Sequence, residues 1–438
     1  MSRKYFIETF GCQMNELDSE KIAGNLQHSG LEPAGNAGSA DVVILNTCSV
    51  REKAVQKVYA RLGTLKKMKS AKQDLIIGVV GCMAQLEGKQ VFTKAPFVNL
   101  VAGPQKGHAI PGLIERAQTN GGRAIDLRMD DDPEPLENAY VLRESPRRAG
   151  VTISEGCNCR CSFCVVPFTR GKQRDRESAN IVHEVEELVA QGFLEIMLLG
   201  QTVNAYHDPS SDRLTFAGLL RRLASIKGLR RIRFTSPHPN YFNDDVIDAI
   251  DSCPQICNQI HLPVQSGSTK VLRAMRRGYS REGYLATVAR IRRARRPIAL
   301  STDIIVGFPG ESDADFRDTL RLIDEVQYDC VFSFKYSPRP NTTALKLCDD
   351  LTDEEKGDRL KILQENQKLI QFNRNAAYLG RIVEVLVDGK AKNKFLLAGR
   401  MTDNRIVNFD GAEDLMGQLA MIEITGFGAN SLSGTWIQ

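Results

Sequence analysis

Two stretches in which short apolar runs alternate with helical patterns constrain this chain more than any other feature. In the first, residues 4–10 read as a strand and residues 15–28 as an amphipathic helix opening at an asparagine or aspartate cap. Residues 41–47 form a buried apolar run, followed by a basic helix through Lys53, Lys57 and Arg61, and residues 75–81 and 97–103 repeat the strand form. Strands alternating with helices require a parallel sheet, so residues 1–120 are expected to be a small α/β domain. The first three runs each end at a cysteine: Cys12, Cys48 and Cys82. Sites in open parallel sheets gather beyond the carboxyl ends of strands, so three residues far apart in sequence can converge there. Three buried thiols that merely end strands is the competing explanation, and repeated placement on successive strands counts against it.

The second alternation runs from 149 to about 341, with strands expected at 149–154, 195–199, 231–235, 259–262, 298–305 and 330–335 and helices such as 179–191 and 216–226. Repeated βα units of this length imply a complete or partial (β/α) barrel. Its first strand delivers the chain into a loop holding Cys157, Cys159, Cys161 and Cys164. Residues 121–148, with the acidic, proline-bearing run 130–135, suit a linker. A long polar helix over 351–377 closes the second domain, assigned 149–375. Residues 376–438 then alternate as short strands divided by Asp388-Gly389, Asp403-Asn404 and Asp410-Gly411, the pattern of a small antiparallel β-barrel. The fold expected is therefore multidomain α/β with a terminal barrel.

Charged residues make up 25% of the 438 and apolar ones 42%, the balance of a globular protein. No apolar run approaches a membrane span and the first residues lack a signal-peptide core, so a cytoplasmic location is expected. Cytosolic thiols stay reduced, which makes the clustered cysteines candidate soft ligands rather than a disulfide framework. Of the eleven cysteines, Cys253, Cys257, Cys330 and Cys348 look scattered and are expected to be buried or half-buried small side chains. The net charge of +5 hides one basic run, Arg290, Arg292, Arg293, Arg295 and Arg296, a candidate nucleic-acid face only in company with other signals.

Cys157, Cys161 and Cys164 have a C-x3-C-x2-C spacing. One short loop can give thiolates to three corners of a four-iron cubane and leave the fourth iron open to a small molecule. A structural zinc would want four ligands, with Cys159 or a histidine as the fourth, and ranks below the cluster.

Gly156-Cys157-x-x-x-Cys161-x-x-Cys164 after a strand resembles the signature of radical S-adenosylmethionine enzymes, and nearly the whole chain resembles their methylthiotransferase branch, most closely the tRNA-modifying members. The likeness rests on Gly11-Cys12-Gln13-Met14-Asn15 with Asp18-Ser19-Glu20, Asn46-Thr47-Cys48-Ser49-Val50-Arg51, Gly81-Cys82-Met83-Ala84-Gln85, the Cys164-to-Gly171 run ending Thr169-Arg170-Gly171, and the stretches 261–268 and 302–311. The resemblance implies an N-terminal methylthiotransferase domain, a radical core and a C-terminal RNA-binding TRAM barrel. It further implies two 4Fe-4S clusters, one on Cys157, Cys161 and Cys164 with S-adenosylmethionine on its open iron, the other auxiliary on Cys12, Cys48 and Cys82.

The chemistry so implied is hydrogen removal from an unactivated adenine C2–H by a 5′-deoxyadenosyl radical, with sulfur from the auxiliary cluster and a methyl group from a second S-adenosylmethionine. No acid or base side chain activates such a C–H bond at neutral pH, so the cofactor does the hard step while the protein positions partners. Implied partners are a tRNA anticodon stem-loop, S-adenosylmethionine and a reductant such as flavodoxin or ferredoxin. Gln201, Asn204, Ser236, His238, Gln265, Asp303 and Phe308 are nominated as S-adenosylmethionine contacts by strand-end position plus family likeness; polar strand-end residues often only bond loop backbone, and Phe308 can equally pack. His261 reads as a satisfied barrel histidine rather than a ligand.

Competing functions are the sister methylthiotransferases acting on threonylcarbamoyl-adenosine in tRNA or on a ribosomal-protein aspartate, and a non-catalytic RNA-binding metalloprotein. Arg339-Pro340-Asn341-Thr342-Thr343 departs from the family's pattern at Asn341, where a glycine is expected; asparagine tolerates positive φ well enough for the turn to survive. Cys159, inside the loop, reads as either a spare thiol or a misligation hazard, and Cys159→Ser is expected to leave the loop's cluster in place. Iron and labile-sulfide analysis checks this, and loss of half the iron would make Cys159 a ligand.

Overall fold

The computed structural model describes residues 2–49, 52–119, 122–129, 136–137, 140–391 and 395–437. The acidic run 130–135, Val50, Arg51 and the Lys53 side chain lie outside what is described. The first six strands, β1 (Lys4–Phe10), β2 (Glu32–Pro33), β3 (Val42–Thr47), β4 (Ile76–Gly81), β5 (Leu100–Ala102) and β6 (Ala124–Asp126), form one parallel sheet in the order β2-β1-β3-β4-β5-β6. β3 shows why both faces are covered. Its Val43 and Leu45 pack with Val58, Leu62 and Leu65 of helix Glu52–Ala71, while Val42 and Ile44 pack with Ile22, Leu26 and Leu113 of helices Gln13–His28 and Ile110–Thr119. Alternate side chains of one strand thus feed two cores, which requires the continuous apolar run seen in the sequence. β6 corrects the expected linker: it falls inside 121–148 yet extends this sheet by pairing with β5. Its three residues are too short for any periodicity to reveal.

The second unit contains β7 (Arg148–Thr152), β8 (Ser154–Glu155), β9 (Arg174–Asp175), β10 (Glu195–Leu199), β11 (Arg231–Phe234), β12 (Gln259–His261), β13 (Ala299–Val306) and β14 (Cys330–Lys335). Two parallel sheets, β11-β10-β7 and β12-β13-β14, are joined by a parallel bridge between Ile232 and Ile256, giving a six-strand barrel wall. The wall is open among the described residues, and β14 leaves Phe332 46% exposed at its edge. β8 and β9 form a separate antiparallel pair, Ser154 opposite Asp175 and Glu155 opposite Arg174, that staples shut the base of the cysteine loop.

Helix Asp353–Ala376, opened by a Thr352/Glu355 capping box, leads into β15 (Ile382–Lys390), β16 (Leu397–Arg400), β17 (Ile406–Asp410), β18 (Leu419–Phe427) and β19 (Leu432–Ile437). These close as a barrel in the order β15-β16-β17-β19-β18, antiparallel except that β17 and β19 run parallel. The barrel docks at the amino ends of the radical-unit strands. Arg231 donates to Glu384 at 2.9 Å and to the Arg400 carbonyl at 2.7 Å, and Arg233 donates to the Met401 carbonyl at 2.6 Å. The carboxyl ends, where sites form, stay clear of it. Phe409 has no exposed surface in the barrel core. Phe409→Ala is expected to cost about 3–5 kcal/mol, read as a lowered barrel transition in calorimetry; an unchanged transition would mean the barrel does not depend on this core.

Candidate functional site: two cysteine triads at facing strand ends

The first triad follows from register. The ladder sets Phe10, Thr47 and Gly81 side by side at the ends of β1, β3 and β4, so Cys12, Cys48 and Cys82 emerge together one or two residues later. An asparagine or aspartate does not cap the following helix as expected. Cys12 occupies the cap, and Asn15 reaches back to accept from the Cys12 amide at 3.3 Å and from its thiol at 3.4 Å. Asn15 also donates to Asn46 at 3.2 Å, and Asn46 returns a bond to the Asn15 carbonyl at 2.8 Å, which ties two cysteine-bearing turns together. Gly81 has φ +93, and a Cβ there would lie 2.6 Å from the Thr47 carbonyl oxygen. The Cys12 thiol hydrogen-bonds to Cys48, which outweighs burial and lowers its pKa to about 6. Burial raises Cys82, against the opposing charge of the Arg170 guanidinium.

The second triad sits on the loop between β8 and β9. Cys157 follows Gly156, whose φ of +82 and close approach to the Lys172 carbonyl, 2.1 Å from a built Cβ, admit no side chain. The Gly156 amide donates to the Gln201 side-chain oxygen. The Cys157 thiol lies 3.3 Å from the Thr202 hydroxyl and is lowered to about 6, chiefly by the Cys159 thiol and against burial. Cys161 accepts from Arg277 at 3.2 Å. Burial pushes Cys164 up to about 12.

Two further observations test whether these residues suit iron–sulfur groups. Both donor sets are all-thiol, the chemistry such clusters take. Buried hydroxyls with no partner lie beside each triad: Ser49 next to Cys48, and Thr152 and Ser154 at the strand end that opens the cysteine loop. Buried polar atoms without partners call for a ligand or water. The residues fit the clusters.

Several of the nominated S-adenosylmethionine contacts are engaged within the protein at the strand ends. Asn204 and His238 exchange side-chain-to-backbone bonds at 2.9 and 2.8 Å. His238 is driven down to about 3 by burial and by Arg277, so its ring is a neutral acceptor, taking the Asn240 amide at 3.3 Å. Ser236 and Gln265 have φ of +60 and +74, left-handed conformations that cost non-glycine residues roughly 1–3 kcal/mol and cluster at functional sites. Asp303 lies lower in the barrel, its carboxylate 3.3 Å from His261, whose other nitrogen meets Ser301 at 3.0 Å. Phe308 has no exposed surface; it packs edge-on to Phe163 of the cysteine loop and to Tyr336, and so props the loop. Asn341 has φ +66, the conformation a glycine would take, so the turn is kept.

The arginine run does not form a free face. Arg290 pairs with Asp244 at 2.9 Å and Arg295 with Asp251 at 3.0 Å, while Arg292 and Arg296 donate to the Ile298, Cys253 and Ile256 carbonyls. Cys348 is exposed rather than buried, in the turn before helix Asp353–Ala376. Arg277 had no signal in the sequence, since 116 residues separate it from Cys161, whereas Thr202 lies in the polar strand-end motif 200–204.

A family model of the Radical SAM superfamily matches residues 151–323, one of the TRAM domain matches 376–437, and one described as Uncharacterized protein family UPF0004 matches 4–103. The radical S-adenosylmethionine methyltransferase TsrM from Kitasatospora setae shares the fold, with a TM-score of 0.55 at 16% identity over 78% of this chain and 74% of that one. Fold and loop together therefore define a radical S-adenosylmethionine enzyme with a TRAM barrel. The tRNA-2-methylthio-N(6)-dimethylallyladenosine synthase of Solibacter usitatus is 47% identical over 99% of this chain and 97% of its own, and that of Serratia proteamaculans is 44% identical over 100% and 93%. The chain belongs to the tRNA-2-methylthio-N(6)-dimethylallyladenosine synthase family.

Gly156→Ala is expected to lower radical-site iron at least several-fold, because the loop cannot close over Lys172. Iron analysis in a Cys12/Cys48/Cys82→Ala background checks it, and undiminished iron would show that the loop relaxes.

Proposed function

We propose that Cys157, Cys161 and Cys164 hold the cluster that S-adenosylmethionine binds, and that Cys12, Cys48 and Cys82 hold an auxiliary cluster, in an enzyme that methylthiolates adenine C2 of N6-isopentenyladenosine beside the tRNA anticodon. The observation that carries this is the pairing of the two triads across one interface: helix Cys82–Glu87 packs on helix Val166–Thr169 of the radical loop. Bound there, the clusters supply electron transfer to S-adenosylmethionine, radical cleavage of an unactivated C–H bond, and sulfur. The chain's own residues close the loop, orient the thiols and exclude water. Gln201, Asn204, Ser236, His238 and Gln265 frame the S-adenosylmethionine side of the mouth, with Asp303 deeper in the barrel and Phe308 as support.

Residues 1–126 would form the auxiliary domain, 149–375 the radical domain and 376–438 the RNA-binding barrel. Arg160, Lys172, Arg273 and Arg276 are exposed on or beside the cysteine loop, where they suit tRNA phosphates better than the engaged arginine run. A one-electron reductant of the flavodoxin or ferredoxin class and a cytoplasmic location complete the proposal. Among the described residues no helix is long and apolar enough to cross a membrane. The curated relatives' names do not favour the threonylcarbamoyl-adenosine or ribosomal-protein alternatives.

The reconstituted enzyme should hold about eight irons, as two four-iron clusters require. Replacing Cys12, Cys48 and Cys82 together with alanine should halve the iron and abolish methylthiolation while S-adenosylmethionine cleavage survives. Unchanged iron would remove the auxiliary assignment. Mass spectrometry of tRNA nucleosides made by each variant reads the product.

A further inference from the structure

Arg170 belongs to the radical loop in sequence but to the other triad in space. It follows Thr169 at the end of the loop's short helix, and its side chain is 3% exposed. Its guanidinium pairs with Asp18, on the helix that begins beside Cys12, and with Glu155, two residues before Cys157, at 3.1 Å, and its charge acts on the nearby Cys82 thiol. Glu155 is in turn held by Arg174 across the β8/β9 staple at 3.1 Å, and Gln105, from the first unit, donates to the Arg170 carbonyl at 3.1 Å. One continuous chain of polar contacts therefore runs from Cys82 through Arg170 and Glu155 to the backbone that carries Cys157. Three motif fragments that the radical chemistry leaves unused, Asp18, Glu155 and Thr169-Arg170-Gly171, meet at this point.

We propose that Arg170 is a positioning residue shared by the two triads: carried by the radical loop, it places a buried positive charge beside the auxiliary site and fixes the spacing between the sites through Asp18 and Glu155. The physical basis is twofold. Cluster potentials respond to net local charge and to hydrogen bonds on the ligating sulfurs. A guanidinium also has donors in a rigid planar fork, so it can face two carboxylates and a thiolate at once, which an ammonium on a flexible stem cannot do in the same geometry. The inference rests on the auxiliary-cluster assignment made above.

The test uses full-length, anaerobically reconstituted protein and an EPR-monitored redox titration of each cluster. The auxiliary site is isolated by Cys157/Cys161/Cys164→Ala and the radical site by Cys12/Cys48/Cys82→Ala. Arg170→Met is expected to retain auxiliary iron and shift the auxiliary midpoint to more negative potential, because the reduced, more negative cluster loses its compensating charge. Asp18→Asn is expected to move it the other way, since it removes a carboxylate and leaves the guanidinium in place. Arg170→Lys should restore much of the potential while methylthiolation stays several-fold low.

Opposite signs distinguish this role from a merely structural one, which would disturb the cluster similarly in both variants. An unchanged auxiliary midpoint in Arg170→Met, or shifts of the same sign in Arg170→Met and Asp18→Asn, would overturn the proposal. If Arg170→Met does not fold, the Asp18→Asn shift alone decides it. Iron content undiminished by Cys12/Cys48/Cys82→Ala would instead remove the auxiliary cluster itself, an outcome separate from either result.

Discussion

A guanidinium as deeply buried as Arg170 can exist only where carboxylates surround it, because an uncompensated buried charge costs about 3–5 kcal/mol. Asp18 comes from the first unit and Glu155 from the second, so the cation has both of its carboxylates only when the two units are docked. The interface has an apolar component as well. Met14 and Leu17 of the first helix pack on Leu199 at the end of β10, while Arg143 bonds Glu20 at 3.1 Å and Glu184 at 2.9 Å. Apolar contact holds the units together, and the ion pairs set the register at which they meet.

That register matters because both units build their sites by the same rule. Parallel strands deliver their carboxyl ends to one edge, and the two edges face each other here. The TRAM barrel is fixed at the opposite end by Arg231, Arg233 and the Asp329–Arg405 pair, so it reaches the site only through what it binds.

Each triad is completed by one buried arginine from elsewhere in the chain, Arg277 on Cys161 and Arg170 on Cys82. Clusters of thiolates carry net negative charge, and a cation in a low-dielectric site offsets it far more effectively than one in water. Placing these cations on other elements also makes each site depend on the whole fold being assembled.

Much of this was legible in the chain itself. The apolar runs at β3 and β4, the cysteine at the end of each of the first three strands, the C-x3-C-x2-C loop and the alternating pattern of the terminal barrel are local signals, set by side-chain periodicity and by which residues tolerate a turn. Asn341 in its left-handed turn belongs with them. What the chain did not disclose were the relations between distant residues. β6 is too short to carry a period, and Arg277 lies 116 residues from the thiol it bonds. The arginine run looked free but is engaged with Asp244, Asp251 and backbone carbonyls. Sequence alone determined where the strands end and which thiols are candidate ligands, because metal ligation and strand periodicity are properties of residue type and spacing. Tertiary structure alone decided which charges serve which triad, because the partners of a buried cation are chosen by docking of separate units and leave no local trace.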